Sequence, residues 1–122
     1  MQTQGYKDLI VWQRSMDLVV AIYEVTSNFP DSERFGLISK MRRSAVSIPS
    51  NIAEGRYRST KKDFRQFLLI SFGSGAELET QVQIVKRLSF GKNLDFSKVD
   101  NLLTETMRML NSMASSLKAN PL

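Results

Sequence analysis

The chain contains no cysteine and no histidine. The first absence excludes a disulfide framework and thiolate chemistry. The second removes the commonest general base and the commonest neutral metal ligand. No run of about 18 apolar residues occurs, so nothing reads as a membrane span and no membrane partner is expected. The opening MQTQGYKDLI has no charged segment leading into an apolar one. The reading is a cytoplasmic protein without a signal peptide.

Strand alternation of useful length is missing too, so no Gly-rich phosphate loop follows a strand. Without histidine there is no Glu-x-x-His ligand pattern. Glu77 and Glu79 are two residues apart. On a helix they point about 200° apart and are poorly placed to share a metal. The expectation is a protein with no catalytic residues, no metal and no cofactor.

What is present is helical periodicity in 122 residues, a length that fits one domain spanning residues 1–122. Four segments carry it. From Asp8 to Ser27, two apolar stripes run side by side: Leu9, Trp12, Met16, Val19 and Tyr23, then Val11, Leu18, Ile22 and Val25. Pro30 ends that helix, because the residue before a proline is pushed out of the α region. Asp31 or Ser32 is placed to cap a second helix with the stripe Ile38, Met41, Ala45, Ile48 and Ile52. A third, capped by Ser59 or Thr60, carries Phe64, Phe67, Ser71, Gly75, Leu78, Val82 and Val85. A fourth, capped by Asp95, carries Phe96, Val99, Leu103, Thr106, Leu110, Met113 and Leu117. Short connections join antiparallel neighbours. The fold class predicted is all-α: an up-down antiparallel four-helix bundle, its second helix kinked at Pro49.

Charge is concentrated. The net +5 lies wholly in Lys40–Arg65, which holds eight basic and two acidic residues. The remainder has nine basic and ten acidic residues. Such a footprint suits a polyanion, although a solvated helix face looks the same in sequence. The segment MRRSAVSIPSNIAEG, residues 41–55, sits inside it. On a wheel of about 100° per residue, Met41, Ala45, Ile48 and Ile52 face the core, with Arg42, Val46, Pro49 and Ala53 on one flank. Arg43, Ser47, Ser50 and Glu54 lie opposite the core, and Asn51 lies on the other flank. Small residues there let another backbone come close. In the third helix, Gly73 and Gly75 cost roughly 1 kcal/mol each against Ala, and close packing is the usual reason. Glu77 follows, within reach of an arginine on a neighbouring helix. Ser47, Ser50, Asn51, Glu54, Gly73, Gly75 and Glu77 are therefore candidates for helix packing or a subunit interface.

The order YKDLIVWQ, FPDSERFGL, MRRSAVSIPSNIAEG and FGSGAELETQ resembles the four-helix-bundle family encoded in intervening sequences of bacterial 23S ribosomal RNA genes. That family looks related to the accessory variability protein of diversity-generating retroelements. The resemblance covers about Tyr6 to Leu117. It implies a bundle that assembles into a homopentameric barrel. It also implies a basic surface that, in the retroelement branch, meets nucleic acid and a reverse transcriptase. It implies no catalytic activity.

Two functions follow as expectations. The first is a non-catalytic oligomer that binds RNA or DNA, with structured RNA or an RNA–protein complex as the expected target. Arg42, Arg43, Arg56, Arg58, Lys61, Lys62 and Arg65 would contact phosphates, and Tyr57 could stack on a base. The alternative is a protein-interaction scaffold in which the arginines serve the subunit interface.

Overall fold

The computed structural model of the chain describes residues 5–118. Four helices carry the fold: α1 (Ile10–Thr26), α2 (Ser39–Arg56), α3 (Lys61–Arg87) and α4 (Ser97–Ser116). Among the described residues there is no strand. α2 packs on α1 and α3, and α4 packs on α3 and α1, so the helices close around one core. The most extensive pairing is α2 with α3.

Both stripes of α1 are helical, but they do different things. Val11, Leu18, Ile22 and Val25 are buried with Ser15 and Ala21 and form the α1 share of the core. Trp12 and Val19 are only half-buried, and Met16 and Tyr23 are exposed. The α2 stripe is as expected, with Met41, Ala45, Ile48 and Ile52 fully buried. In α3 the buried line begins at Leu68 rather than Phe64 and Phe67, which are half-buried. In α4, Val99, Leu103, Thr106 and Leu110 are buried as expected, and Ala114 takes the place of Met113 at the end.

α2 starts later than the sequence predicts. Asp31–Glu33 form a 3-10 turn, and Arg34–Ile38 form one wide π-type turn before the helix becomes regular at Ser39. Neither Asp31 nor Ser32 caps it. The Glu33 carboxylate accepts from the Leu37 amide at 3.2 Å instead. Gly36 leaves helical dihedrals inside this turn (φ −105°, ψ −112°), which interrupts the α ladder. Downstream, α2 runs through Pro49 as one helix. Two serine hydroxyls donate to carbonyls beside the proline: Ser50 to Val46 at 2.8 Å, and Ser71 of α3 to Ile48 at 2.9 Å. Thr60 caps α3, accepting from the Asp63 amide at 3.1 Å. At α4, Asp95 accepts from the Ser97 amide at 2.9 Å, one residue earlier than a standard cap. That hydrogen bond holds the Asp95 carboxyl below its ordinary pKa.

Candidate nucleic-acid interface

The basic stretch that is continuous in sequence is divided in space. Arg42 and Arg43 lie near the start of α2. Arg56, Arg58, Lys61, Lys62 and Arg65 lie around the α2–α3 corner. Fourteen residues of helix separate Arg42 from Arg56, about 21 Å at 1.5 Å per residue.

Their surroundings divide them again. Arg42 is partly buried against α1: its Nε donates to Thr26 Oγ1 at 2.9 Å, its second terminal nitrogen reaches the Tyr23 carbonyl at 3.4 Å, and its guanidinium sits 4.3 Å above the Tyr23 ring. Arg65 donates from Nε to the Ala114 carbonyl at 2.9 Å, tying α3 to the end of α4. Arg58 pairs with Glu54 at 2.8 Å and lies 4.7 Å over the Phe67 ring. Arg56 is partly buried. Arg43, Lys61 and Lys62 are exposed, with no hydrogen bond or ion pair among the described residues. Lys61 and Lys62 are the first two residues of α3, where the helix dipole disfavours a cation by about 0.3–1 kcal/mol each. Tyr57 beside them is 79% exposed and meets only the edge of the Tyr6 ring, 5.7 Å between centroids.

The small-residue positions do not share one role, and Ser47 alone among them bonds α2 to α3. Ser47 and Ser74 share a hydrogen bond at 2.8 Å, and Asn51 donates to the Ser47 carbonyl at 2.8 Å and its hydroxyl at 3.0 Å. Gly75 is buried under Met107, whose sulfur occupies the space of a Cβ. Gly73 is different: it is exposed, and a Cβ there would meet nothing within 4 Å. Ser50 is exposed, and Glu54 is spent on Arg58. Glu77 makes no ion pair with Arg42 or Arg43, though it shares a groove with Arg43.

That groove, about 740 Å³, runs between α2 and α3. Arg43 and Lys40 stand on the α2 side, Glu77 and Gln81 on the α3 side, with Phe35 and Ile84 as its apolar lining. A second, shallower groove of about 320 Å³ lies between α1 and α2 and is apolar. Trp12, Met16 and Val19 from the outer stripe of α1 meet Val46, Pro49 and Ala53 there. Among the described residues, no group of three or more carboxylates is gathered as a metal site. None of the described helices is long and apolar enough to cross a membrane.

The profile of the 23S rRNA-intervening sequence protein family matches residues 7–112, nearly the whole described bundle. The chain belongs to that family. The fold of the chain is also that of a crystal structure from Bacteroides thetaiotaomicron, described as a protein of unknown function from the S23 ribosomal protein family. The two are 20% identical, with a TM-score of 0.69 over 90% of this chain and 100% of the other. No curated protein sequence matches it.

Two residues of the chain had no signal strong enough to single them out. Phe35 falls off the α2 stripe and is 88% exposed, carried by the wide turn before the helix. Gln81 sits beside Val82 on the inner side of α3, where only 8% of it is exposed. A polar residue next to the stripe was the one clue.

Proposed function

We propose that this protein is a non-catalytic, self-associating bundle of the cytoplasm that binds structured RNA through phosphate contacts. The observation that carries the reading is the placement of Lys61 and Lys62. They are exposed, unpaired among the described residues, and set where the α3 dipole repels them. A phosphate at that corner turns a local cost into an attraction, since helix N-termini and lysines both favour anions. Arg56, Arg58 and the exposed Tyr57 surround the same corner. The apolar groove between α1 and α2 supports self-association, because Met16 and Val46 are exposed there beside half-buried Trp12 and Val19. By its resemblance to the retroelement proteins, the assembly is a pentamer. The RNA then belongs to a complex such as one with a reverse transcriptase, and DNA is the other candidate.

The test is fluorescence anisotropy of a labelled structured RNA at about 50 and about 200 mM salt. Roughly four phosphate contacts per protomer weaken binding by about 50- to 150-fold across that interval. A flat response would refute phosphate contact. A second reading, a scaffold for protein partners alone, is favoured by the internal use of Arg42 and Arg65. Absence of binding at the lower salt selects it.

A further inference from the structure

We propose that the basic corner between α2 and α3 takes an unpaired nucleotide of its RNA, with the base stacked on Tyr57 and the flanking phosphates on Lys61 and Lys62. The inference rests on the RNA-binding reading and narrows it, from phosphate contact along any helix to a loop, a bulge or a strand end.

Tyr57 is the starting observation. It closes α2, where its backbone amide donates to the Glu54 carbonyl at 3.2 Å. The backbone therefore does the capping, and the side chain is left 79% exposed. An exposed ring alone is ordinary on a protein surface. This one is held in place. Tyr6, in the 3-10 turn Tyr6–Asp8 that packs on α2, stands 5.7 Å from it between centroids, with the planes at 63°. Tyr6 is braced in turn by Trp12 of α1, at 5.2 Å and 66°. One edge-to-face neighbour cannot cover both faces of a ring, and the exposure of Tyr57 leaves at least one face bare. A ring fixed by the bundle yet open to water is a preformed stacking platform that loses little freedom on binding.

Stacking decides the kind of RNA. In a duplex each base is covered by its neighbours, whereas a base splayed out of a loop, bulge or end offers its face to an aromatic side chain. The charge beside the ring suits the same nucleotide. Lys61 follows Tyr57 by four residues, which keeps their Cα atoms within about 14 Å of each other. That is the length of roughly four base steps of about 3.4 Å. Of the two carboxylates in the basic stretch, Glu54 is held by Arg58 at 2.8 Å, so Asp63 alone stands against Lys61 and Lys62.

The experiment uses one RNA stem in two forms with identical ends, fully paired or carrying a single bulged purine. The bulged base is 2-aminopurine, whose fluorescence falls when an aromatic ring stacks on it. Proteins are the wild type, Tyr57→Ala, Tyr57→Phe and the double variant Lys61→Ala/Lys62→Ala, each checked by thermal melting. The Tyr57 ring is exposed and its backbone amide keeps the cap, so both tyrosine variants fold. The wild type is expected to prefer the bulged stem by roughly 5- to 150-fold, the fold-change for one stacked base. Tyr57→Ala erases that preference, leaves the bulged base brighter at saturation, and binds the paired stem as the wild type does. Tyr57→Phe keeps the preference, since the ring and not the hydroxyl stacks. The lysine double variant weakens both stems alike. If the wild type binds the two stems equally, or Tyr57→Ala keeps the preference, stacking on Tyr57 is refuted and the RNA-binding reading stands as phosphate contact alone. If the wild type binds neither stem at about 50 mM salt, the RNA-binding reading falls and this inference falls with it.

Discussion

Three glycines separate helix propensity from packing, and replacing each with alanine tests the bundle geometry directly. Gly73 lies mid-way along α3, and a Cβ there meets nothing within 4 Å. Alanine then contributes its propensity advantage alone, about 0.8–1 kcal/mol. For a chain of this length that raises the melting temperature by about 4 °C. Gly55 lies near the end of α2, where a Cβ would stand 2.6 Å from Phe67 Cβ and 3.1 Å from Phe64 Cδ1. The Phe67 Cβ is fixed to the α3 backbone and cannot rotate away, so α2 and α3 must part. Overpacking of this kind costs about 1–3 kcal/mol, more than the propensity gained at a helix end. Gly55→Ala is expected to lower the melting temperature by about 4–12 °C. Gly75→Ala falls between them, because the Met107 thioether that fills its space can turn aside.

The assay is thermal unfolding followed by helical circular dichroism at one fixed protomer concentration, since the proposed self-association would make the midpoint concentration-dependent. A Gly73→Ala protein less stable than the wild type would refute the open-face reading, because it requires a neighbour against that glycine. A neutral Gly55→Ala would refute the close approach of α2 to α3.

Two further outcomes are expected. The Asp95 pKa is depressed in the folded state by the Ser97 amide, so between that lowered value and the ordinary 3.8 only the unfolded chain holds the proton. Stability therefore rises with pH through this interval and is lost as pH falls through it. Asp95→Asn, which keeps an acceptor oxygen but cannot titrate, flattens that part of a urea-unfolding profile; an unchanged profile would refute the capping role. Met16→Lys places a charge in the apolar α1–α2 groove without touching the core. The variant should remain folded but sediment as a lighter species than the wild type, and an unchanged mass would refute self-association through this groove.

How far the sequence discloses this structure depends on how local each determinant is. The α2 and α4 stripes are legible because periodicity and burial coincide in them, Met41 to Ile52 and Val99 to Leu110. In α1 two apolar stripes of equal strength compete, and only the positions of α2 and α4 show that Val11, Leu18 and Ile22 turn inward. The late start of α2 depends on Glu33 reaching Leu37 across a turn that Gly36 interrupts, a local choice that periodicity does not encode. Continuity in sequence also overstates continuity in space. Eight basic residues in one stretch read as a single patch, but a helix of 18 residues holds its two ends about 27 Å apart. Ser47 and Ser74 meet across α2 and α3 at 2.8 Å. Gly73 shows that the same composition can also leave a face open.

The fold sorts the positive charge by helix end. Arg42 reaches the last carbonyls of α1, and Arg65 reaches Ala114 near the end of α4. Both lie at the negative end of a dipole, where a cation is worth about 0.3–1 kcal/mol beyond its hydrogen bonds. Lys61 and Lys62 lie at the positive end of α3. Internal arginines and outward lysines thus make different predictions for the same two measurements. Arg42→Ala loses a hydrogen bond to Thr26 and the stacking on Tyr23, together about 1–2 kcal/mol of stability. Thr26 is not orphaned by the change, since its hydroxyl still donates to the Ile22 carbonyl at 2.6 Å. If Arg42 is spent on α1, its removal leaves the salt slope of RNA binding unchanged, and the same holds for Arg65→Ala. Lys61→Ala instead leaves the melting temperature the same or higher and reduces the slope by about one unit. A slope that falls with Arg42→Ala would show that this arginine leaves Thr26 for a phosphate, and the division of the arginines from the lysines would be wrong.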